Sequence, residues 1–562
     1  MTKQYGPKQP FSEEIHRTKY RAKGESFYDA MTRVAATLKD NEEHFKQFRE
    51  ALLEQRFLPA GRVQAAIGSP KKVTPYNCFV SGTIEDSMND IMAKAGEAAT
   101  TMRLGGGIGY DFSTLRPSGD HIKSLDSTSS GPLSFMEVFN AVCGTISSAG
   151  HRRGAQMGVM RVDHPDILDF VKAKTNTTGF TNFNLSVGVT DKFMEAVKEK
   201  GMFELTFEGR VYAEVDAVKL WEEILRATWD WAEPGVLFID RMNSWNNLHY
   251  CEKIAATNPC GEQPLPPYGA CLLGSFNLVK YIINSSFDYE LFKHDIAVSV
   301  RAMDNVVDNA VFPLLQQEGE ARSKRRMGLG VTGLANAIEA LGYSYGSPDF
   351  IETTRLILST LRDTAYRTSV SLAVEKGPFP LYADGYLDGE FAQTLPQDIR
   401  DDIRLHGIRN SHLLSIAPTG TISLSADNVS SGLEPVFSYE TQRTVKMPEG
   451  EVITTLSDYA YREWGVRGKQ SNDLAVEDHL KVLAVASYYV DSACSKTCTV
   501  GSDVTWDEFK AVYMSAYDQG CRGCTTFRPD GKRFGVLVKA EEEEMEGTAC
   551  YIDLNTGLKT CE

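Results

Sequence analysis

A repeated change of hydrophobic period constrains this chain more than any other feature. Near the N-terminus apolar residues recur at helical spacing: Phe27, Met31, Val34, Ala35 and Leu38, a pattern that Phe45, Phe48, Leu52 and Phe57 continue. The same spacing returns over 87–104, in Met88, Ile91, Met92, Ala95, Ala99 and Met102, and over 134–146, in Phe135, Val138, Phe139, Val142 and Ile146. Between these stretches the period shortens. Tyr76-Asn77-Cys78-Phe79-Val80 is strand-like. Leu185, Val187 and Val189 alternate with Ser186 and Gly188 as in a half-buried strand. Residues 236–239 form a short apolar run, as in a buried one. Gly105, Gly106 and Gly107 end the second helix, and the stretch 103–110 reads as a tight helix-to-strand connection. It lacks both G-x-G-x-x-G spacing and a Walker loop. Interleaving of this kind belongs to the α/β class, as a barrel or an open sheet.

The chain has 562 residues and a net charge of -16, from 59 Lys+Arg against 75 Asp+Glu, so the whole molecule repels polyanions and is not a general nucleic-acid binder. Small anionic ligands remain compatible with locally basic pockets. No run approaches the roughly 18–20 apolar residues of a membrane span. Residues 1–15 are polar, with Pro7 and Pro10, and lack a signal-peptide core. A cytoplasmic protein is expected, whose 11 cysteines are thiols, metal ligands or redox pairs. Three regions follow: a helical N-terminal region over 1–75, an alternating α/β body over 76–537, and an acidic tail over 538–562. The tail has no periodic apolar face and is expected to be mobile. It carries Cys550 and Cys561, which are either incidental or a swinging dithiol. Cys494, Cys498, Cys521 and Cys524 have a spacing that permits a zinc site, without further local ligands to support one.

The informative segment is Asn258-Pro259-Cys260-Gly261-Glu262, with Cys271 eleven residues after Cys260. On an extended segment, residues two apart point to one side, so Asn258, Cys260 and Glu262 would present an amide, a thiol and a base in one row. Gly261 permits close backbone approach to a ligand. Pro264, Pro266 and Pro267 force a turn that would bring Cys271 back near Cys260. A Pro-rich surface loop with buried cysteines is the alternative.

This segment resembles the active-site finger loop of the ribonucleotide reductases, and further motifs in the same order extend the resemblance over nearly the whole chain. Phe57-Leu58-Pro59-Ala60-Gly61-Arg62 and Tyr76-Asn77-Cys78 resemble early substrate-site segments, and Arg152-Arg153-Gly154-Ala155 resembles the loop between effector and substrate. Ala417-Pro418-Thr419-Gly420-Thr421-Ile422-Ser423, followed by Ser431-Gly432-Leu433-Glu434-Pro435, resembles the substrate phosphate site. The resemblance implies a ten-stranded α/β barrel of two five-stranded halves around a central finger loop. By residue matching, Cys260 would carry a thiyl radical, Glu262 would act as general base and Asn258 would hydrogen-bond the substrate. Cys78 and Cys271 would be the local reducing pair, re-reduced by Cys550 and Cys561 through thiol exchange. Pro418, Thr419, Gly420, Thr421 and Ser423 would hold the phosphates.

The resemblance also bears on the radical source. Gly523-Cys524-Thr525-Thr526-Phe527 places threonines where members with a separate radical subunit carry a tyrosine pair. This stretch, with Val490-Asp491-Ser492-Ala493 and Ser495-Lys496-Thr497, is similar to the adenosylcobalamin-dependent class. No Asp-x-His-x-x-Gly motif is present, so no protein histidine is expected on the cobalt, and no metal is expected on protein side chains. The alternatives are the large subunit of a two-subunit reductase and a zinc-stabilised nucleotide-binding protein without catalysis. Asp86, Ser87, Arg116, Arg152 and Arg153 match positions that bind dNTP effectors. The N-terminal region is shorter than the roughly 100-residue ATP-binding cone of many relatives, so no overall-activity switch is expected. A homodimer, ribonucleoside diphosphate substrates and a thioredoxin- or glutaredoxin-like reductant complete the expectation.

Overall fold

The structure is a computed structural model that describes residues 5–123, 125–148, 152–153, 155–175, 179–447, 450–528, 531–532, 538–539, 550–552 and 559–561. Strands β1 (Cys78–Val80), β2 (Gly107–Asp111), β3 (Gln156–Arg161), β4 (Phe183–Val189) and β5 (Gly235–Phe238) lie side by side and parallel. A second parallel set holds β6 (Leu273–Asn277), β7 (Gly328–Thr332), the segment 413–416, the segment 494–499 ending in β8 (Thr497–Thr499), and β9 (Gly523–Phe527). Two antiparallel seams join the sets. Ala270–Cys271, which leads into β6, pairs with β1, and β5 pairs with β9. The pairings thus run round ten strands in two five-stranded halves, the α/β barrel that the sequence implied.

Strand β4 departs from expectation. Its alternation suggested one solvent face, but every residue except Asn184 is buried. Parallel strands are covered on both faces, here by helices outside and by the finger loop inside.

The helices follow the apolar period closely. In α1 (Pro10–Lys19) and α2 (Phe27–Leu38) the buried residues lie on one stripe, and Ser26 and Asp29 close α2 with a reciprocal capping box. The pattern does not continue as one helix. Lys39 is extended, and the Asn41 side chain accepts from His44 N to start α3 (Glu42–Leu53). Helices α4 (Met88–Arg103) and α5 (Pro132–Thr145) stand where the sequence placed them, although Met88 and Met92 are exposed. Helices α2 and α3 pack on α6 (Tyr289–Asn309), which packs on α7 (Pro348–Lys376). The strand Phe57–Pro59 pairs antiparallel with β6. The N-terminal region therefore shares one apolar core with the second half of the barrel, from Val34 and Phe48 through Phe276 and Met303 to Leu361. Among the described residues no helix is long and apolar enough to cross a membrane.

The finger is a hairpin in which Ala256–Thr257 pairs with Pro264–Leu265. It enters the barrel so closely that a Cβ on Gly109 of β2 would lie 1.9 Å from the Thr257 carbonyl oxygen. On the opposite side a Cβ on Gly328 of β7 would lie 2.3 Å from Gln263 Nε2. Glycine at both positions makes room for a second layer of backbone inside the ring.

Candidate active site

The finger tip is a closed turn. Asn258 N donates to Gln263 O at 3.1 Å, Gly261 N to Asn258 O at 3.1 Å, and Gln263 N to Asn258 Oδ1 at 3.0 Å. Gly261 sits at φ +81, in the left-handed region that favours glycine. This corrects the extended row expected from sequence, because a turn does not follow the two-residue alternation. Asn258 and Glu262 are 0% and 1% exposed, whereas Cys260 is exposed. Asn258 Nδ2 is buried without a hydrogen-bond partner. An unmade bond of that kind costs about 1–3 kcal/mol.

Cys260 opens onto two cavities, and Cys260 and Pro418 are the residues the two share. The larger, of about 440 Å³, is lined by Asn77, Cys78, Glu262 and Ser275, by Pro418, Thr419, Gly420 and Thr421, and by the cationic residues Lys19, Arg62 and Lys71. The smaller, of about 300 Å³, is lined by Asn184, Ser186, Glu434, Lys496, Arg522 and Thr525 among others.

Cys271 stands directly opposite Cys78 across the seam of Ala270–Cys271 with β1. Cys78 is half-buried and lines the larger cavity, while Cys271 is fully buried behind it. The Pro-rich turn thus delivers Cys271 to Cys78, and Cys78 is the member that shares a cavity with Cys260. Burial, reinforced by a hydrogen bond with Cys78, pushes the Cys271 thiol well above its ordinary pKa. Both are thiols in this structure.

Residues 418–421 line the larger cavity at the start of the short helix α8 (Gly420–Ser425). Two of the hydroxyls expected to face a phosphate hold the loop instead. Thr419 Oγ1 lies 2.9 Å from Thr332 Oγ1 and accepts from Gly432 N at 2.8 Å. Ser423 Oγ donates to Gly420 O at 3.1 Å and lies 2.9 Å from Ser431 Oγ. Gly420 and Thr421, both exposed, line the cavity.

In the smaller cavity, Lys496 Nζ donates to Glu434 Oε2 at 2.8 Å and lies 3.0 Å from His479 Nδ1. Burial opposes the ammonium charge, but Glu434 together with Tyr345 and Cys498 outweighs it and holds the Lys496 pKa above its usual value. Arg522 is buried and donates to the carbonyls of Ser487, Ser492 and Val490, and burial lowers its pKa to about 10. Ala493, Ser495, Lys496, Thr497 and Thr525, all within stretches singled out in the sequence, line this cavity.

Asp86, Ser87 and Arg116 line neither cavity. Arg116 Nε donates to Asp86 Oδ2 at 2.5 Å, and the Ser87 side chain caps α4. The backbone of Arg152–Arg153 pairs with Ser147–Ser148, and the side chains of these arginines lie outside the described residues. In the tail, Cys550–Ile552 pairs antiparallel with Lys559–Cys561, placing the backbones of Cys550 and Cys561 opposite each other. Most of the tail lies outside the described residues. Among the described residues no group of three or more His, Cys, Asp or Glu is gathered as a metal site would require.

A ring of ten strands closed around a thiol-bearing finger has counterparts among known proteins. The family model for the ribonucleotide reductase barrel domain matches residues 76–469. A vitamin B12-dependent ribonucleoside-diphosphate reductase of Mycobacterium tuberculosis is 35% identical over 493 residues, covering 82% of this chain and 69% of the relative. One of the same description from Thermoplasma acidophilum is 31% identical over 540 residues, covering 89% and 68%. A ribonucleoside-diphosphate reductase subunit alpha of Chlamydia pneumoniae is 26% identical over 495 residues, covering 75% and 47%. The chain belongs to the ribonucleotide reductase family.

Sequence reasoning missed Asn184 and Ser415, which hold the finger from outside. Asn184 Nδ2 donates to Pro259 O at 2.8 Å, and Ser415 Oγ donates to Glu262 O at 2.9 Å. A signal was present in β4. The face with Ser186 and Gly188, which alternation assigned to solvent, continues to Asn184, and Asn184 and Ser186 line the smaller cavity inside the barrel.

Proposed function

We propose that this chain reduces ribonucleoside diphosphates to 2′-deoxyribonucleotides by thiyl-radical chemistry at Cys260, with adenosylcobalamin as the radical source. One observation carries the reading: Cys260 lies where two cavities meet, with Glu262 and Cys78 in one of them. The sugar would occupy the larger cavity, its phosphates toward Gly420, Thr421 and the cations Lys19, Arg62 and Lys71. The smaller cavity, at about 300 Å³, falls within the range of about 300–1,000 Å³ for small-ligand sites and fits a nucleoside-sized group. Ser186, Glu434, Lys496 and Thr525 would hold that group. When bound, adenosylcobalamin supplies hydrogen-atom abstraction through homolysis of its cobalt–carbon bond. The relatives named as vitamin B12-dependent support this choice of cofactor.

In the reaction, the Cys260 sulfur radical takes the hydrogen atom from the 3′ carbon and becomes a thiol. Glu262 takes the proton of the 3′ hydroxyl. Asn258 Nδ2 donates a hydrogen bond to the substrate. The 2′ hydroxyl leaves as water with a proton from Cys78, which faces the cavity. Cys271, kept protonated by burial, is the second thiol of the pair. The two thiols give two electrons and two protons, one proton leaving with the water and one hydrogen forming the new bond at the 2′ carbon, and end as a disulfide, while Glu262 returns its proton to the 3′ oxygen. Cys260 then returns its hydrogen atom to the 3′ carbon and recovers its radical. Cys550 and Cys561 would reduce the disulfide by exchange and be reduced in turn by a thioredoxin- or glutaredoxin-like protein. Asp86, Ser87, Arg116, Arg152 and Arg153 would form a dNTP effector site. The exposed Met88 and Met92 on α4 would lie in a homodimer interface.

The deciding experiment incubates purified chain with adenosylcobalamin, a small dithiol and a nucleoside diphosphate. Deoxynucleotide should form with no second protein. Product only after addition of a radical-generating subunit would make the chain the large subunit of a two-component enzyme.

A further inference from the structure

Two backbone carbonyls beside Cys260 are held from opposite halves of the barrel. Pro259 O accepts from Asn184 Nδ2 at 2.8 Å, and Asn184 belongs to β4 in the first half. Glu262 O accepts from Ser415 Oγ at 2.9 Å and from Ala493 N at 3.0 Å, both in the second half. The anchors differ in kind. Glu262 O keeps a backbone donor whatever stands at 415, whereas the donor to Pro259 O is a side chain. Asn184 also stands opposite Met157 of β3, and both line the smaller cavity beside Cys260.

We infer that Asn184 is a positioning residue for the Cys260 thiol. Its amide pins the peptide before Cys260 and keeps the sulfur at the junction of the two cavities, facing a hydrogen acceptor on one side and a hydrogen donor on the other. Transfer between them needs contact distances of about 3–3.5 Å, and a shift of about 1 Å can cost a hundredfold in rate. The effect on turnover rests on the thiyl role proposed above, while the effect on the loop stands without it.

The test compares the full chain with Asn184→Asp, which keeps the size but offers the carbonyl no donor, and with Asn184→Ala. Three quantities are read: the rate at which iodoacetamide alkylates Cys260, amide hydrogen exchange over 256–265, and kcat and KM for the nucleotide. In both variants alkylation and exchange at the finger should rise severalfold while exchange in β6 and β7 is unchanged. The kcat should fall by between about tenfold and a hundredfold with KM held within about twofold. Unchanged alkylation and exchange would overturn the inference. So would a loss of kcat and nucleotide binding together with faster exchange throughout β4, which marks a strand weakened as a whole. If the unsubstituted chain shows no turnover, the proposed function fails, and alkylation and exchange still decide the role of Asn184.

Discussion

Cys78 and Cys271 face each other across the antiparallel seam where the two halves of the barrel meet. Residues directly opposite in such a pair have Cα atoms about 4.5–5.5 Å apart, inside the range of about 4.4–6.8 Å that a disulfide spans. The two thiols are thus placed to close without moving a strand. Turnover of the pre-reduced chain without added reductant should yield at most two products per chain, one from Cys78–Cys271 and one from Cys550–Cys561, and leave a Cys78–Cys271 link in peptide maps. Cys78→Ser or Cys271→Ser should abolish multiple turnover. Product beyond one equivalent from either variant would contradict the pairing.

Cys260→Ser should remove turnover entirely, since an alcohol does not exchange hydrogen atoms with a sugar C–H as a thiol does. Nucleotide affinity, set by the rest of the 440 Å³ cavity, should stay within about threefold. Equilibrium dialysis with the diphosphate checks the second half of this expectation.

Gly109→Ala should displace the finger. The added methyl would meet the Thr257 carbonyl at 1.9 Å, and neither β2 nor the hairpin has room to yield. A cost of about 1–3 kcal/mol is expected from overpacking of this kind. It should appear as a lower Tm and a disproportionate loss of kcat, whereas Gly209→Ala, at a site with nothing within 4 Å but a φ of +76, should lower Tm without touching kcat.

Asp491 should make stability fall as pH rises from about 4 to 6. Burial lifts its pKa from 3.8 to about 6, against hydrogen bonds from Leu413 N, Leu414 N and the Tyr366 hydroxyl that act in the other direction. The folded state therefore holds its proton over a range where the unfolded chain has lost it. The stabilisation is complete below the unfolded pKa and is gone above the folded one, a change on the order of 3 kcal/mol. Thermal unfolding from pH 4 to 7 should show this slope, and Asp491→Asn should flatten it. Identical profiles would mean that other carboxyls set the dependence.

Cys561→Ser should slow turnover with a thioredoxin-like donor far more than with dithiothreitol, because a small dithiol reaches Cys78 through the cavity. Equal losses with both donors would exclude a shuttle.

Much of this was legible in the residues. The periods of α2, α4 and α5 are local properties, so their helices stand within a residue or two of where spacing placed them. The order of the motifs was enough to name the barrel and to gather Cys260, Glu262, Cys78 and residues 418–421 around one cavity. Local reasoning failed where distant segments meet. The buried second face of β4 turns on the finger that fills the barrel, whereas the break before α3 is local and turns on the Asn41 cap.

Sequence alone determined which groups are available: a thiol, a carboxylate and an amide within five residues, and two further cysteines to pair. Tertiary structure decided where each one points. The tip of the finger closes into a turn because Asn258 bonds back to Gln263, and it is suspended between Asn184 and Ser415, 74 residues before and 157 residues after Asn258. Hydrogen bonds across such separations depend on the closed ring of strands and leave no periodic trace in the chain, which is why they emerge only once the barrel is assembled.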